Sequence, residues 1–510
     1  IPILVVCGNP PYSVSSENKS AFIEKLMEDY KEDVRDERNI QPLSDDYLKF
    51  IRFAQWKVDR NGQGIVGMIT NNAYLDGLIH RGVRRKILES FDLVYVLNLH
   101  GDSRLKEVTP EGKKDENVFD IQQGVAIVLL VKLGAMEKTH NIRYSDLWGT
   151  RESKYEWLLS HSVQSTKWQE IQCQPPRFLF VPHREPPEYV SYVPLTEIMS
   201  FHRQGVKTHR DWLLVGFSDQ EILARVRALR REETSDSELL AAFGLKKSDL
   251  PSLKIAQRKV RSLTRVQPHQ MRAYLYRPFD IRRIYFDQSL IDRPRPELLT
   301  AMQESSEENR IALVTRRNSR QWVCPWSFAF VTRFLADIDM KGGVYVFPLY
   351  QGQASNVALW IVTSLTKAYS VDVNEVQVFQ YVYAILYSSI YRKKYANSLK
   401  MDFPRIPFTS DGTVFQEISE LGRFLISAHL LEHSDIHAKG ASYPKTGSDI
   451  IDRVIFDRDN ARVWINEDQY FSNVDAPVWD YEVGGYPVCQ RWLKERLGRR
   501  LTLSDNEHYI

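Results

Sequence analysis

The apolar residues 3–6 and the turn that follows them constrain this chain most strongly. Cys7 and Gly8 lead from the apolar run into Asn9, Pro10, Pro11 and Tyr12. A short aliphatic run that stops at glycine and proline predicts a buried strand ending in a turn. Two successive prolines fix φ near about −65° and donate no backbone N–H. The turn is therefore rigid, and it presents hydrogen-bond acceptors beside an aromatic ring.

This set of groups suits the binding of an exocyclic amino group on a planar base. The Asn9 side-chain oxygen and the Pro10 carbonyl can accept the two N–H bonds of the amine, and the Tyr12 ring can stack on the base. An amine held in this way can attack a methyl donor. The alternative is a purely structural turn, because Asn-Pro often opens turns and a tyrosine after proline often only packs.

The next 120 residues alternate between helical and strand patterns. Helices are predicted at 21–30 and at about 45–59, with Asn61 and Gly62 ending the second, and a third carries Arg81, Arg84 and Arg85. Strands are predicted at 64–70, 92–99 and 124–132. Continuous Val, Ile and Leu runs between helices indicate a parallel sheet covered on both faces, in which the last two strands pair antiparallel.

Asn9-Pro10-Pro11-Tyr12 at a strand end closely resembles motif IV of the amino-methyltransferases that act on adenine in DNA. Residues 69–75, 97–101, 117–121 and 124–127 resemble later motifs of that family in the same order. The resemblance implies that Asn9, Pro10, Pro11 and Tyr12 are catalytic. It also implies that the adenine is flipped out of the duplex and that S-adenosyl-L-methionine donates the methyl group.

The cofactor residues of that family lie in a glycine-rich turn upstream of motif IV. Gly8, Gly62, Gly64 and Gly67 do not form such a turn. We therefore assign no cofactor-binding residue and expect the cofactor half on sequence before Ile1. Between residues 102 and 117 a polar stretch is either a solvated loop or a loop that closes on DNA.

After about residue 132 the pattern changes to short strands, aromatic clusters and Pro-rich turns, which places a domain boundary between 132 and 194. Cations beside glycines, aromatics or prolines are candidates for DNA contacts. These candidates are Arg203, Lys207, Arg210, Arg277, Arg282, Arg283, Arg316, Arg317 and Arg320. A longer charged helical region at 219–265 is typical of a solvated helix face.

Residues 276–280, 347–350, 391–395, 402–408, 484–486 and 491–493 together resemble the specificity region of single-polypeptide Type ISP restriction-modification enzymes. The implied fold class is α/β, with a partial class I methyltransferase (Rossmann-like) sheet followed by a large α+β target-recognition domain. We expect the catalytic part at 1–150 and the recognition domain at 151–510, with a further subdomain from about 410. The resemblance also implies nuclease and helicase-like domains on the same full-length polypeptide.

Composition limits the other functions that this chain could have. The net charge is only +3, so a DNA surface has to come from local clusters of cations. The four cysteines are far apart, which argues against a zinc site or disulfides and favours the cytoplasm. No apolar run approaches the ~20 residues of a membrane helix. His429, His433 and His437 are spaced four residues apart, as on one face of a helix. No carboxylate or cysteine lies in register with them, so we predict no metal site there.

The sequence therefore predicts site-specific DNA adenine-N6 methylation, with double-stranded DNA as the partner. One alternative is a DNA specificity module that does not methylate on its own, because the cofactor motif is absent. Another is a methyltransferase for glutamine amides or RNA guanine, since Asn-Pro-Pro-Tyr also occurs in such enzymes. Those enzymes are small, and a recognition domain of this size would then have no explanation.

Overall fold

A computed structural model describes residues 4–13, 16–35, 37, 39–104, 107–134, 141–182, 186–231, 234–307, 309–317, 326–340, 343–433 and 441–509. The described residues up to 182 form one compact unit, unit 1, and those from 186 onward form another, unit 2. The helix and strand that follow residue 150 therefore belong to the first unit. In the described parts of the chain, no helix is both long and apolar enough to cross a membrane.

Unit 1 is built on a six-stranded sheet with the order β1-β2-β4-β3-β5-β6. β1 runs parallel to β2, and β3 runs parallel to β5. β4 is antiparallel to both of its neighbours, β2 and β3, and β6 is antiparallel to β5. The strands are β1 (Val5–Gly8), β2 (Gly64–Asn71), β3 (Leu93–His100), β4 (Val125–Lys132), β5 (Asn141–Asp146) and β6 (Gln169–Gln172). The predicted strands after β1 and the antiparallel pairing of β3 with β4 are confirmed.

The helices of unit 1 are α1 (Ala21–Lys31), α2 (Asp46–Asn61), α3 (Arg81–Ser90) and α4 (Arg151–Ser160). Short 3-10 helices lie at Glu32–Val34, Gln41–Ser44, Asn72–Tyr74 and Leu78–His80. α2 ends as predicted, because Gly62 adopts a φ of 76° that a side chain would disfavour. The prediction of a buried first strand is wrong: β1 is an edge strand among the described residues, and Val5 is 57% exposed.

Residues after 160 complete the core of unit 1. Ile171, Cys173 and Phe180 are buried in the same apolar cluster as the central strands β2, β3 and β4. The buried Arg84 donates to the carbonyls of Tyr74 and Arg177 at 2.6 Å each. These contacts explain why the first unit extends past residue 150, since its core needs the later segment.

His80 is a buried base in the core of unit 1, at the start of α3. Burial, with the charge of Arg84, lowers its pKa from 6.5 to about 3. A histidine that is neutral in the folded state stabilises the fold above pH 6.5, and this contribution is lost as the pH falls towards 3. We expect the free energy of unfolding to fall by about 1.4 kcal/mol per pH unit in this window through His80 alone.

The His80 contribution can be measured as the difference in unfolding free energy between the wild type and His80→Leu from pH 7 to pH 4.5. The exposed His161 of the same unit supplies the matched variant His161→Leu. We expect the pH dependence to weaken in the His80 variant and to stay unchanged in the His161 variant. Equal pH dependence in all three proteins would contradict the assignment of a neutral, buried His80.

Unit 2 contains two four-stranded sheets, ordered β14-β10-β11-β9 and β13-β12-β15-β8, and smaller sheets around them. Its strands are β7 (Val193–Pro194), β8 (Arg203–Gln204), β9 (Val215–Gly216), β10 (Met271–Arg277), β11 (Asp280–Tyr285), β12 (Ala312–Arg316), β13 (Ala329–Thr332), β14 (Leu335–Ala336), β15 (Val344–Pro348), β16 (Tyr350–Gln351), β17 (Ala354–Ser355), β18 (Arg405–Ile406), β19 (Ile455–Asp457), β20 (Arg462–Trp464), β21 (Tyr470–Ser472), β22 (Glu482–Val483) and β23 (Tyr486–Pro487). Strands of both four-stranded sheets contribute to one apolar core.

Helices surround the sheets of unit 2. They are α5 (Pro187–Ser191), α6 (Leu195–Ile198), α7 (Asp211–Leu214), α8 (Asp219–Arg230), α9 (Asp236–Ala242), α10 (Leu250–Ser262), α11 (Pro296–Glu304), α12 (Leu359–Tyr369), α13 (Glu375–Tyr387), α14 (Ser389–Lys394), α15 (Ala396–Leu399), α16 (Gly412–His429), α17 (Ala476–Trp479), α18 (Val488–Lys494) and α19 (Leu503–Tyr509). Two further 3-10 helices lie at Lys247–Asp249 and Pro268–Gln270.

The chain is continuous in packing across residue 410, where a further subdomain was expected. α16 lies so close to α13 that a Cβ atom on Gly422 would be 2.0 Å from the carbonyl oxygen of Gln380. Residues from 443 to 509 add a small apolar cluster of their own around Val463, Phe471 and Trp492. A separate local core thus begins after α16, within unit 2.

Candidate functional site

The turn after β1 presents a polar side chain and an aromatic ring next to each other. Asn9 is exposed, Pro10 is buried and Tyr12 is half-buried. The Tyr12 hydroxyl donates towards the Asn9 side-chain oxygen at 3.3 Å and the Ile69 carbonyl at 3.4 Å. Both hydrogen bonds are long, and an amide oxygen has two lone pairs. The Asn9 oxygen therefore keeps the capacity to accept a hydrogen bond from a ligand.

The Tyr12 ring is held by an aromatic neighbour and stays neutral. It meets the Tyr47 ring edge to face, with centroids 6.2 Å apart and an interplanar angle of 88°. Burial, followed by the charge of Asp45, raises the pKa of Tyr12 to about 12. The phenol therefore remains protonated at physiological pH. A neutral, partly exposed ring at this position is suited to stacking on a planar ligand.

Asp45 fixes the turn to the start of α2. Its carboxylate accepts a 2.8 Å hydrogen bond from the backbone N–H of Ser13, and the Ser13 carbonyl accepts a 3.2 Å bond from the N–H of Asp46. Asp45 is only 3% exposed. The sequence predicted a helix from about residue 45, but no pattern in it indicated that Asp45 also supports the residue after Tyr12.

A second polar cluster lies at the carboxyl ends of β2 and β3. The Asn72 side chain donates to the Asn98 side-chain oxygen at 3.2 Å. His100 contacts Asp146 at 2.6 Å and Glu107 at 3.5 Å through its two ring nitrogens. Burial lowers the pKa of His100, but the hydrogen bonds to the two carboxylates outweigh this effect and raise it above the ordinary value. These contacts anchor the start of the polar loop 102–117.

The end of that loop is held by a buried ion pair. The Lys154 ammonium lies 2.7 Å from Asp115, and both side chains are fully buried. Lys154 also donates to the carbonyls of Leu99 at 2.8 Å and Glu116 at 2.6 Å, so its three donors are all used. The segment that follows packs Phe119 into the apolar cluster that Tyr12 also contacts. α4 therefore helps to position the residues around Tyr12.

Most of the chain matches the family model described as the Type ISP C-terminal specificity domain, over residues 197–509. The chain belongs to this Type ISP family. Residues 4–105, which include the turn after β1, match a second family model, described as the Eco57I restriction-modification methylase. The resemblance to a Type ISP methyltransferase and specificity region is thereby confirmed.

Solved structures with this fold include three that were determined with DNA. A complex of DrdV with DNA has 20% identity and a TM-score of 0.73, and the match covers 97% of this chain and 52% of that chain. A second structure is a nuclease-deletion mutant of the Type ISP restriction-modification enzyme LlaGI in complex with a DNA substrate mimic. It has 21% identity and a TM-score of 0.72, and the match covers 99% of this chain and 49% of that chain. The ATP-dependent Type ISP restriction-modification enzyme LlaBIII bound to DNA has 20% identity and a TM-score of 0.73. That match covers 99% of this chain and 35% of that chain.

These likenesses establish a shared fold, an α/β methyltransferase-like region followed by a recognition domain, as predicted. This Type ISP chain spans about half of the DrdV and LlaGI chains and about a third of the LlaBIII chain. No curated protein matches the sequence.

Several cations predicted to contact DNA have partners inside unit 2. Arg282 binds Asp280 at 2.7 Å, and Arg210 donates to the Leu290 carbonyl at 2.9 Å. Arg277 pairs with Asp337 at 3.1 Å. Arg210 and Arg282 are each 9% exposed. These internal contacts stabilise the unit, and the DNA contacts of the three arginines stay predictions.

Arg316 is another candidate that is buried in unit 2. It is 7% exposed, its guanidinium lies 5.1 Å from the centre of the Phe328 ring, and burial lowers its pKa to about 10. Its DNA contact also stays a prediction.

The remaining candidates are half-buried and also have partners. Arg203 covers the Phe201 ring, Lys207 pairs with Asp339, Arg283 with Asp219 and Arg317 with Asp402. Their DNA contacts stay predictions. Arg320 lies outside the described residues.

The histidines after α13 show no metal-binding arrangement in the described part of the chain. His429 contacts the Tyr383 hydroxyl at 2.6 Å, and His433 packs against Phe424. His437 lies outside the described residues. Across the described ranges, no group of three His, Cys, Asp or Glu side chains could hold a metal ion.

Proposed function

We propose that this chain forms the base-binding and target-recognition parts of a site-specific DNA adenine-N6 methyltransferase in a restriction-modification system. Unit 1 carries the catalytic residues Asn9, Pro10, Pro11 and Tyr12, and unit 2 selects the DNA site. The observation that carries the proposal is the turn after β1. Its exposed amide oxygen and neutral aromatic ring lie together in the region that matches a restriction-modification methylase.

The proposed chemistry is the attack of the adenine amino group on a methyl group. The adenine is flipped out of the duplex, because a base inside the stack cannot reach the site. Asn9 and the Pro10 carbonyl accept the two N–H bonds of the amine, which draws its lone pair out of conjugation with the ring. Tyr12 stacks on the base. After methyl transfer the charged amine loses a proton to solvent, so orientation rather than a strong base provides the rate.

The proposed methyl donor is S-adenosyl-L-methionine, which supplies an electrophilic methyl group when it is bound. In the part of unit 1 that the structure describes, the carboxyl ends of β1 and β2 lead into residues 9–12 and 71–74. Neither connection is a glycine-rich turn, so these residues do not fit the donor site of the family. We therefore assign no donor contact to this chain and derive no step through the donor.

The proposed partner is double-stranded DNA, and the similar structures of DrdV, LlaGI and LlaBIII, which were determined with DNA or a DNA mimic, support a DNA partner. We also propose that nuclease and helicase-like domains lie on the same full-length polypeptide, since the chain covers only part of the Type ISP relatives. We also propose that the protein acts in the cytoplasm of a bacterium or archaeon, where a restriction-modification enzyme meets its DNA substrate.

The proposal is tested by methylation assays with the 510-residue chain and with the full-length polypeptide that carries it. Each is incubated with labelled S-adenosyl-L-methionine and mixed-sequence duplex DNA, with duplex RNA and protein as parallel substrates. We expect N6-methyladenine in DNA from the full-length polypeptide. Label transferred only to RNA or protein would contradict the DNA proposal.

Calorimetry of S-adenosyl-L-methionine binding separates the alternative, a specificity module that cannot methylate on its own. Micromolar affinity for the 510-residue chain would exclude a cofactor-deficient module. A chain that binds duplex DNA but neither binds the donor nor methylates would instead be the specificity part alone.

A further inference from the structure

The outward faces of two adjacent helices in unit 2 carry a group of exposed arginines. α8 buries Ile222, Val226 and Leu229, and α10 buries Leu253 and Val260, so their opposite faces point to solvent. We define the arginine cluster as six residues on and just after these faces: Arg227, Arg230, Arg231, Arg258, Arg261 and Arg265. Arg230 is half-buried, and the other five are exposed.

Two hydrogen bonds bring the arginines of the two helices together. The Arg230 guanidinium donates to the Thr264 carbonyl at 3.1 Å, just after α10. The Arg261 guanidinium donates to the Arg231 carbonyl at 2.7 Å, just after α8. Arg227 and Arg230 on α8 are three residues apart, as are Arg258 and Arg261 on α10, which places each pair on one side of its helix. The cluster is therefore a continuous basic surface that the linear sequence divides into two parts.

The cluster is not neutralised by acidic partners in the described structure. Among the described residues, no carboxylate oxygen lies within 4.0 Å of any of the six guanidinium groups. Neighbouring arginines differ: Arg225 pairs with Glu221 and Arg283 with Asp219. Glu232 and Glu233, next to Arg231 in the sequence, lie outside the described residues. Like charges held this close repel, and a bound anion would relieve that repulsion.

Helix dipoles explain only part of this arrangement. Cations in the last turn of a helix are favoured by the partial negative charge there. This accounts for Arg227 and Arg230 at the end of α8 and for Arg261 at the end of α10. Arg258 precedes the last turn of α10, and Arg265 follows the helix. A role in helix stability does not require these two residues.

We infer that the arginine cluster is a phosphate-binding surface that holds the backbone of duplex DNA. This inference rests on the proposed function, which supplies DNA as the partner. Guanidinium groups bind phosphate oxygens through two parallel hydrogen bonds. Gln257, next to Arg258 in the sequence, is buried, and the exposed Gln220 lies in the first turn of α8, away from the last turn that carries Arg227 and Arg230. The surface therefore contributes affinity and position rather than discrimination between sequences.

The test compares DNA binding by the 510-residue chain with that of the triple variant Arg258→Gln, Arg261→Gln, Arg265→Gln. The control triple, Arg423→Gln, Arg458→Gln, Arg500→Gln, removes the same charge from exposed arginines of unit 2 that pair with Glu420, Asp480 and Asp449. Affinity for a mixed-sequence DNA duplex is measured over a range of salt concentrations, with circular dichroism as the check on folding.

We expect the cluster variant to lose about 100-fold in affinity at 0.1 M salt and its salt slope to fall by roughly 0.9 for each lost phosphate contact. The control should bind like the wild type. Equal loss in both triples, or no loss in either, would overturn the inference, and so would a loss seen only with duplex RNA. If the wild type binds DNA and the cluster variant binds it equally well, the inference fails and the proposed function stands. A wild type that does not bind DNA overturns the proposed function itself.

Discussion

Replacing Asn9 by alanine should reduce DNA methylation by about 1000-fold or more, while DNA affinity stays within about twofold, because the lost acceptor acts on the reacting amine. Asn9 is exposed at the end of β1, and among the described residues its side-chain oxygen receives a single, long hydrogen bond. The substitution removes no buried contact, so the fold should not change. Single-turnover methylation with the full-length polypeptide and a parallel DNA-binding titration measure the two quantities.

Tyr12 supplies the matched comparison for Asn9. Tyr12→Phe keeps the ring and loses only the two long hydrogen bonds of the hydroxyl, so methylation should fall by less than about tenfold. Tyr12→Ala removes the stacking surface, which is worth about 1–3 kcal/mol. If Asn9→Ala methylates at the wild-type rate, or if it loses DNA binding and methylation to the same extent, the turn is structural and the assignment of the site fails.

The order of elements from β1 to β4 could be predicted because its signals are local. The helix ended by Gly62, the apolar run of β2 and the turn of Asn9 and Tyr12 each depend on neighbouring residues. The exposure of β1 could not be predicted in this way, because burial of an apolar strand depends on which strands lie beside it. The burial of Lys154 could not be predicted from its neighbours either, because its ion pair with Asp115 joins residues that are far apart in the sequence.

The arginines of unit 2 show the limit of composition as a signal. Arg282 and Arg261 both lie in basic stretches of the sequence, but Arg282 is buried beside Asp280 and Arg261 is exposed. Asp280 and Arg282 are two residues apart on β11, and residues at this spacing lie on the same face of a strand. That spacing is a signal for internal pairing. The spacing of three between Arg227 and Arg230 on α8, and between Arg258 and Arg261 on α10, points instead to a shared, solvent-facing side.

Arginines that stabilise the fold differ in exposure and in pairing from arginines that are free to bind a ligand. Each arginine of β10, β11 and β12 described above has an internal partner or is buried, whereas the arginine cluster has exposed guanidinium groups and, among described residues, no acidic partner within 4.0 Å. A buried pair fixes the positions of strands, while exposed unpaired cations attract an anion. Exposure and the absence of acidic partners therefore make the arginine cluster a further candidate for phosphate contacts, beside the strand arginines whose DNA contacts stay predictions.

Asp280→Ala should destabilise unit 2 by about 3–5 kcal/mol, because it leaves two buried guanidinium groups without their shared carboxylate. Asp280 is fully buried on β11, where it accepts hydrogen bonds from Arg282 at 2.7 Å and from Arg496 at 2.9 Å. Arg496 follows α18, so the carboxylate joins the end of the chain to the sheet. Urea denaturation measures the change in the free energy of unfolding.

The exposed pair of Asp480 and Arg458, at 2.7 Å in the same unit, provides the control. Asp480→Ala should cost less than about 1 kcal/mol, since solvent screens an exposed ion pair. A third variant replaces Asp280 by Ala together with Arg282→Met and Arg496→Met, and it should be more stable than Asp280→Ala alone, because no buried charge is left unpaired. If Asp280→Ala costs no more than Asp480→Ala, the C-terminal region is attached by its apolar contacts, and the three charges do not contribute to the stability of the unit.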